Sequence, residues 1–222
     1  MIRCQYSGMD LQTAVDNFDR ALTHCDNIVA VHRGHGGGGG GRRYREISLD
    51  RAVIVLAVAA WQAAVQDLTT AILDTAAPPS GAPIDRARYE ASVGYARKAI
   101  TDFATPNAQN TRRLMQGAGF DPRPHWTWTA PGGQGRPRVT WVPHMADTRL
   151  DEWLKLRHAI AHGHDELPVV DALESVRNDG VAHNPTIRLV DAEQCVAFVS
   201  RLVRLSATAM AAHVGVSITN PR

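Results

Sequence analysis

Leu11, Val15, Phe18, Leu22, Cys25 and Val29 recur at spacings of three and four, which predicts an amphipathic helix from about Asp10 to His32. The glycine-rich stretch over 34–43 reads as a flexible connector. A phosphate-cradling loop would need Gly-Lys-Ser/Thr after a strand, and Arg42 and Arg43 stand there instead. From Ser48 or Asp50 to Ala76 the pattern changes. Val53, Ile54, Val55, Leu56, Val58, Trp61, Val65, Leu68 and Ile72 leave the first half of this helix apolar nearly all round, as in a core element covered on several sides. Leu56, Val58 and Trp61 are therefore expected to be buried, with Leu56→Ala costing about 2–5 kcal/mol. Pro78, Pro79, Gly81 and Pro83 end the helix, and a third fits Asp85 to Phe103. Thr105-Pro106-Asn107 then breaks the chain and caps a short fourth helix carrying Leu114 and Met115.

Residues 117–143 are too many for a featureless loop. Trp126-Thr-Trp128-Thr and Val139-Thr-Trp141-Val142 alternate around a turn-rich Pro131 to Gly135, which predicts a β-hairpin. A further helix is expected over about His144 to His162, with Leu150, Trp153, Leu154 and Ile160 on its buried side and Gly163 as its stop. Between Pro168 and Val190 the pattern supports a helical turn and a short extended piece at Thr186 to Val190. The last helix runs from Asp191 to about Val214, and 214–222 reads as a disordered tail. The fold class is all-α: one helical bundle over 1–222, with a small β-hairpin inserted between the fourth helix and the helix ending at His162.

Composition narrows the class only modestly. The 222 residues are 44% hydrophobic and 21% charged, ordinary for a globular chain, and the net charge of +2 does not by itself demand nucleic acid. Lys98 and Lys155 are the only lysines, and the remaining cations are arginines, which bind phosphate bidentately. Genomic base bias is the plainer explanation of that excess. Cys4, Cys25 and Cys195 are odd in number and far apart, which suits reduced thiols and a cytoplasmic location. The most apolar run, Ala52 to Trp61, is too short to span a bilayer, and Met1 to Asp10 lacks a signal-peptide pattern. No membrane partner is expected.

The candidate chemistry sits in Leu156-Arg157-His158-Ala159-Ile160-Ala161-His162-Gly163. Arg157 is a permanent cation, and His162 can take or give a proton near neutral pH. That pair suits phosphodiester cleavage, in which a hydroxyl loses a proton while charge builds on phosphate oxygens. His158 lies one helical turn from His162 and is an accessory candidate. Plainer roles exist: Arg157 in an ion pair with Asp151, Glu152 or Asp165, and His162 as a cap on free carbonyls. His158, His162, His164 and Asp165 also raise a metal reading, but no Glu stands between the histidines as in a zinc protease, and neither metal nor cofactor is expected. Arg177-Asn-Asp-Gly180-Val-Ala-His183 has a loosely similar spacing but no amphipathic helix leads into it. In the hairpin region, Trp126 and Trp128 could stack bases, with Arg136 and Arg138 nearby for phosphate. The plainer role for the tryptophans is to pack the hairpin onto the helices.

Three stretches carry a family likeness. Val55-Leu-Ala-Val-Ala-Ala-Trp61-Gln-Ala-Ala-Val65 resembles the core helix of the RiboL-PSP branch of the HEPN superfamily, where an acidic residue often stands at the position of Gln62. Phe103-Ala-Thr105-Pro106-Asn107 followed by Leu114 resembles that branch's break between helices, and Arg157 to His162 resembles the superfamily's Arg-x4-His signature. The likeness runs from roughly Asp10 to His213. It implies a helical bundle, a homodimer and, in many members, metal-independent ribonuclease activity on RNA. Positions five apart on a helix differ by about 140°, so one copy does not bring Arg157 and His162 onto one phosphate, whereas two copies across a two-fold could. The expected function is thus an endoribonuclease with a composite dimer site, of the kind used as a toxin or defence effector with an antitoxin or other protein partner. The alternative is a non-catalytic dimer of the same fold that binds a nucleotide, an RNA or a protein.

Overall fold

The computed structural model describes residues 8–34, 42–130 and 138–219. Among them seven α-helices and one two-stranded hairpin are present: α1 (Leu11–Gly34), α2 (Arg42–Ala76), α3 (Pro83–Thr101), α4 (Ala108–Gly117), β1 (Trp128–Ala130), β2 (Val139–Trp141), α5 (Pro143–Ala161), α6 (Glu174–Arg177) and α7 (Leu189–Val214). The all-α class with a small β insertion is thereby established. Most of the expected connector, 35–41, lies outside the described residues, but Arg42 and Arg43 belong to α2. The helix starts earlier than expected because Arg42 to Ser48 holds neither glycine nor proline, so nothing breaks it before the apolar run begins.

The architecture is organised around α2, which packs against α1, α3, α4, α5 and α7. Val53, Ile54, Val58, Trp61, Val65 and Leu68 are all buried. Leu56 corrects the expectation, since it is 37% exposed. Even five neighbours leave one line of the helix uncovered, and Leu56, Ala59 and Ala63, spaced by three and four, occupy it. Across the described ends of the glycine-rich segment, His32 Nδ1 lies 2.8 Å from the buried carboxylate of Asp50, which ties the last turn of α1 to α2. Burial pushes the Asp50 carboxyl above its usual range, against the opposing pull of His32.

Two helical stretches, Arg45–Ala76 and Leu189–Val214, are long and apolar enough to cross a membrane by length and composition, a longer apolar extent than Ala52 to Trp61 suggests. In each, 56% of the most apolar window is buried within the protein, which is how the two central helices of this core come by their composition.

The hairpin pairs Trp128 with Trp141, Thr129 with Thr140 and Ala130 with Val139 in antiparallel register. Its inner face lies on α7, where the Trp128 and Trp141 rings stack at 5.0 Å and both approach Phe198. Trp126 precedes the strand and is fully buried, its ring edge-on to Trp61 at 6.1 Å and its indole N–H donating to Ser206 Oγ at 3.0 Å. The expected extended piece ends at Arg188, which is extended, because α7 begins at Leu189. Asp191 accepts the backbone N–H groups of Glu174 and Arg188, tying α6 to the start of α7. The tail expectation also needs correction for 215–219, because Ile218 packs on the core and the Thr219 N–H donates to Gln12 Oε1 at 2.7 Å. Residues 220–222 lie outside the described residues.

This packing separates two substitutions on one helix. Trp61→Ala should cost about 3–5 kcal/mol in urea unfolding, because a buried ring leaves a cavity. Leu56→Ala should cost less than about 1 kcal/mol, since much of that side chain already meets water.

Candidate functional site

The end of α5 and the strap between α3 and α4 face each other across a cleft of about 680 Å³. Three α2 side chains hold the strap in place. Trp61 Nε1–H donates to the Pro106 carbonyl at 2.9 Å, Gln62 Nε2 to Phe103 at 2.9 Å and Gln66 Nε2 to Ile100 at 2.7 Å. Asn107 then caps α4, its Oδ1 accepting the Asn110 N–H at 2.7 Å as its place in the sequence predicts. From α5, Asp151 accepts the Ala108 N–H at 3.1 Å and joins the strap to the helix that carries the signature.

The signature residues occupy the last turn and a half of α5. Leu156 and Ala159 face the core, which turns His158 and His162 outward and leaves Arg157 half-buried at the cleft wall. His162 ends the helix, and Gly163 follows in the left-handed region at φ 65°. The Gly163 N–H bonds the Ile160 carbonyl and the His164 N–H bonds Ala159, a Schellman closure that a glycine permits at no steric cost. That closure returns the chain toward α5 and sets three imidazoles together. The His158 and His162 rings lie 4.2 Å apart, and His164 is 6.1 Å from each. Among the described residues no group of three His, Cys, Asp or Glu side chains is arranged to hold a metal ion.

Arg157, His158, His164 and Lys155 line the cleft with Asp151 and Glu166, over an apolar floor that includes Val58 and Leu167. His162 is not in the lining and reaches it through the His158 ring. The plainer roles are not taken. Asp151 is engaged by α4, Glu152 pairs with Arg149 at 3.0 Å, and among the described residues Arg157 has no ion pair with these or with Asp165. Among the described residues the His162 side chain bonds no carbonyl, and the closure there uses backbone N–H groups. Lys155, which is exposed, likewise makes no ion pair among the described residues, although Asp151 and Glu166 line the same cleft. Half-buried charge without a partner costs folding energy, and such positions are enriched where a ligand supplies the opposite charge.

The hairpin candidates are elsewhere. Trp126 is a correction: wholly enclosed and bonded to Ser206, it has no face to offer a base. Trp128 gives one face to Trp141 and also packs on Phe198, the packing role weighed for it in the sequence. Arg138 is exposed beside β2, and neither it nor the two tryptophans lines the cleft. Arg136 lies outside the described residues. Lys155 and Glu166 were not anticipated. Lys155 stands one helical turn before His158, so its place on the motif face was open to the same periodicity; Glu166 reaches the cleft only through the reversal at Gly163. No protein-family model, curated protein or solved structure matches this chain.

Gly163→Ala tests the closure. An added Cβ would meet nothing within 4 Å, so the cost is that of the backbone alone, about 1–2 kcal/mol. The measurable result is a lowered unfolding midpoint together with altered imidazole resonances of His164.

Proposed function

We propose that the chain is a metal-independent endoribonuclease of the HEPN type, acting at a site shared by two copies. The observation that carries this reading is Arg157, half-buried and without a carboxylate partner among the described residues, in one cleft with His158 and His164 and adjoined by the exposed His162 ring. Cleavage needs a base for the 2′-hydroxyl, an acid for the departing 5′-oxygen and a cation for the charge that accumulates on phosphorus-bound oxygens. His162 takes the proton from the 2′-hydroxyl, whose oxygen attacks the adjacent phosphorus. The bond from phosphorus to the 5′-oxygen breaks, and a second imidazole protonates that oxygen. His158, or His162 of the second copy, is the donor, and Arg157 neutralises the phosphate.

Helix geometry supports the two-fold. Arg157 and His162 point about 140° apart on α5, so a pair of α5 ends from two copies supplies both groups to one phosphate where one end does not. Such an activity suits a toxin or defence effector restrained by a protein partner.

The purified protein, incubated with total RNA and defined tRNAs, should cleave in the presence of EDTA and leave 2′,3′-cyclic phosphate or 3′-phosphate ends beside 5′-hydroxyls. His162→Ala and Arg157→Ala should each lose on the order of a hundredfold or more in rate while remaining folded. Mixed dimers of the two variants should regain part of the activity, because one intact Arg and one intact His then meet in one cleft. Products bearing 5′-phosphates, or dependence on added metal, would refute the mechanism; sedimentation as a monomer would refute the shared site.

A further inference from the structure

The cleft beside Arg157 continues past the strap. A second depression, of about 470 Å³, adjoins it, and Ala104 and Thr105 line both. Tyr95 of α3 and Arg113 of α4 line this second depression with Asp102 and Asn110. Two of these four are already engaged. Asp102 is held by Lys98 at 2.6 Å, and the Asn110 amide donates to the Thr105 carbonyl at 3.1 Å. The other two are open. Tyr95 is 88% exposed, and among the described residues neither its ring nor its hydroxyl has a partner. Arg113 is exposed and has no ion pair among the described residues.

What remains on offer is one aromatic face and one guanidinium, joined to the cleft by two small exposed residues. Three carbonyls of the strap between them are already engaged, since Phe103, Thr105 and Pro106 each accept a side-chain hydrogen bond. Stacking surface and cation along a continuous groove is the pairing that binds single-stranded nucleic acid with little regard to sequence. A protein partner would favour a broad apolar surface, and α3 instead carries Asp85, Arg86, Arg88, Glu90, Arg97 and Lys98.

We propose that this depression is a second nucleotide subsite, through which a single RNA strand extends from the cleft across Ala104 and Thr105. Tyr95 stacks on a base there and Arg113 meets a backbone phosphate. The identity of the strand as RNA rests on the ribonuclease reading; the subsite itself rests on Tyr95 and Arg113.

The test measures binding by the wild-type chain of a fluorescent ten-nucleotide RNA, 2′-O-methylated throughout so that it cannot be cleaved, beside a dinucleotide of the same chemistry. Tyr95→Ala should weaken binding of the long strand on the order of tenfold and that of the dinucleotide less than twofold. Arg113→Ala should lower the slope of log affinity against log salt by about 0.7, the value for one phosphate contact on a single strand. Equal affinities of wild type and both variants for the long strand would overturn the subsite, even if unmodified RNA is cleaved. Loss of self-association or of a protein complex in Tyr95→Ala, with RNA binding intact, would overturn it in favour of a protein-docking face. Failure of the long strand to bind at all would overturn it too. Strand binding that depends on Tyr95 and Arg113, without cleavage of unmodified RNA, would support the subsite and remove the ribonuclease reading instead.

Discussion

The arrangement depends on how α2 satisfies the backbone that follows α3. A helix end leaves carbonyls without intrahelical partners, and a chain that turns sharply toward another helix has little room to hydrate them. Trp61, Gln62 and Gln66 donate to three carbonyls here, at Pro106 and Phe103 in the strap and at Ile100 in the last turn of α3. Helix α2 is also the centre of the core, so the rigidity of the interior passes directly to the cleft wall. Gln62 suits this place by its chemistry. Its amide is a donor aimed at a carbonyl, and a carboxylate in its place would face that oxygen with only lone pairs.

On the opposite wall the fold does the reverse and leaves charge unsatisfied. Arg97, Arg112, Arg123, Arg188 and Arg204 all find carboxylates, whereas Arg157 and Lys155 have none among the described residues. The carboxylates near α5 are drawn off to other work: Asp151 to the start of α4, Glu152 to Arg149. Two cations and three imidazoles thus gather at the end of α5, in company with Asp151 and Glu166, and a local cluster of this kind does not require a basic protein.

Much of this was legible in the sequence, for identifiable reasons. The spacing of Leu11 to Val29 gave α1, because one face of that helix is buried and the other is wet. Asn107 announced α4 because a side-chain cap is a local interaction. The alternation around Trp128 and Trp141 located the hairpin, and Arg157 to Gly163 located the foot of α5. Tertiary choices were less visible. Periodicity could not tell that Leu56 falls on the uncovered line of an all-round apolar helix, or that Trp126 turns inward to Ser206 while Trp128 stays at the edge. His164, Tyr95 and Arg113 needed the folded chain, since each gains its place through a reversal or a neighbouring element rather than through its own helix.

Cys25 and Cys195 lie wholly inside the α1–α2–α7 core, and burial pushes the Cys195 thiol well above the ordinary range. A thiol in that state is no nucleophile while the helices stay together. With Cys4 replaced by serine, alkylation of the remaining thiols would proceed only through opening of the core. The protein therefore carries its own clock for that motion, readable under native conditions without denaturant or an introduced probe. Any ligand that holds the cleft wall in place would slow it.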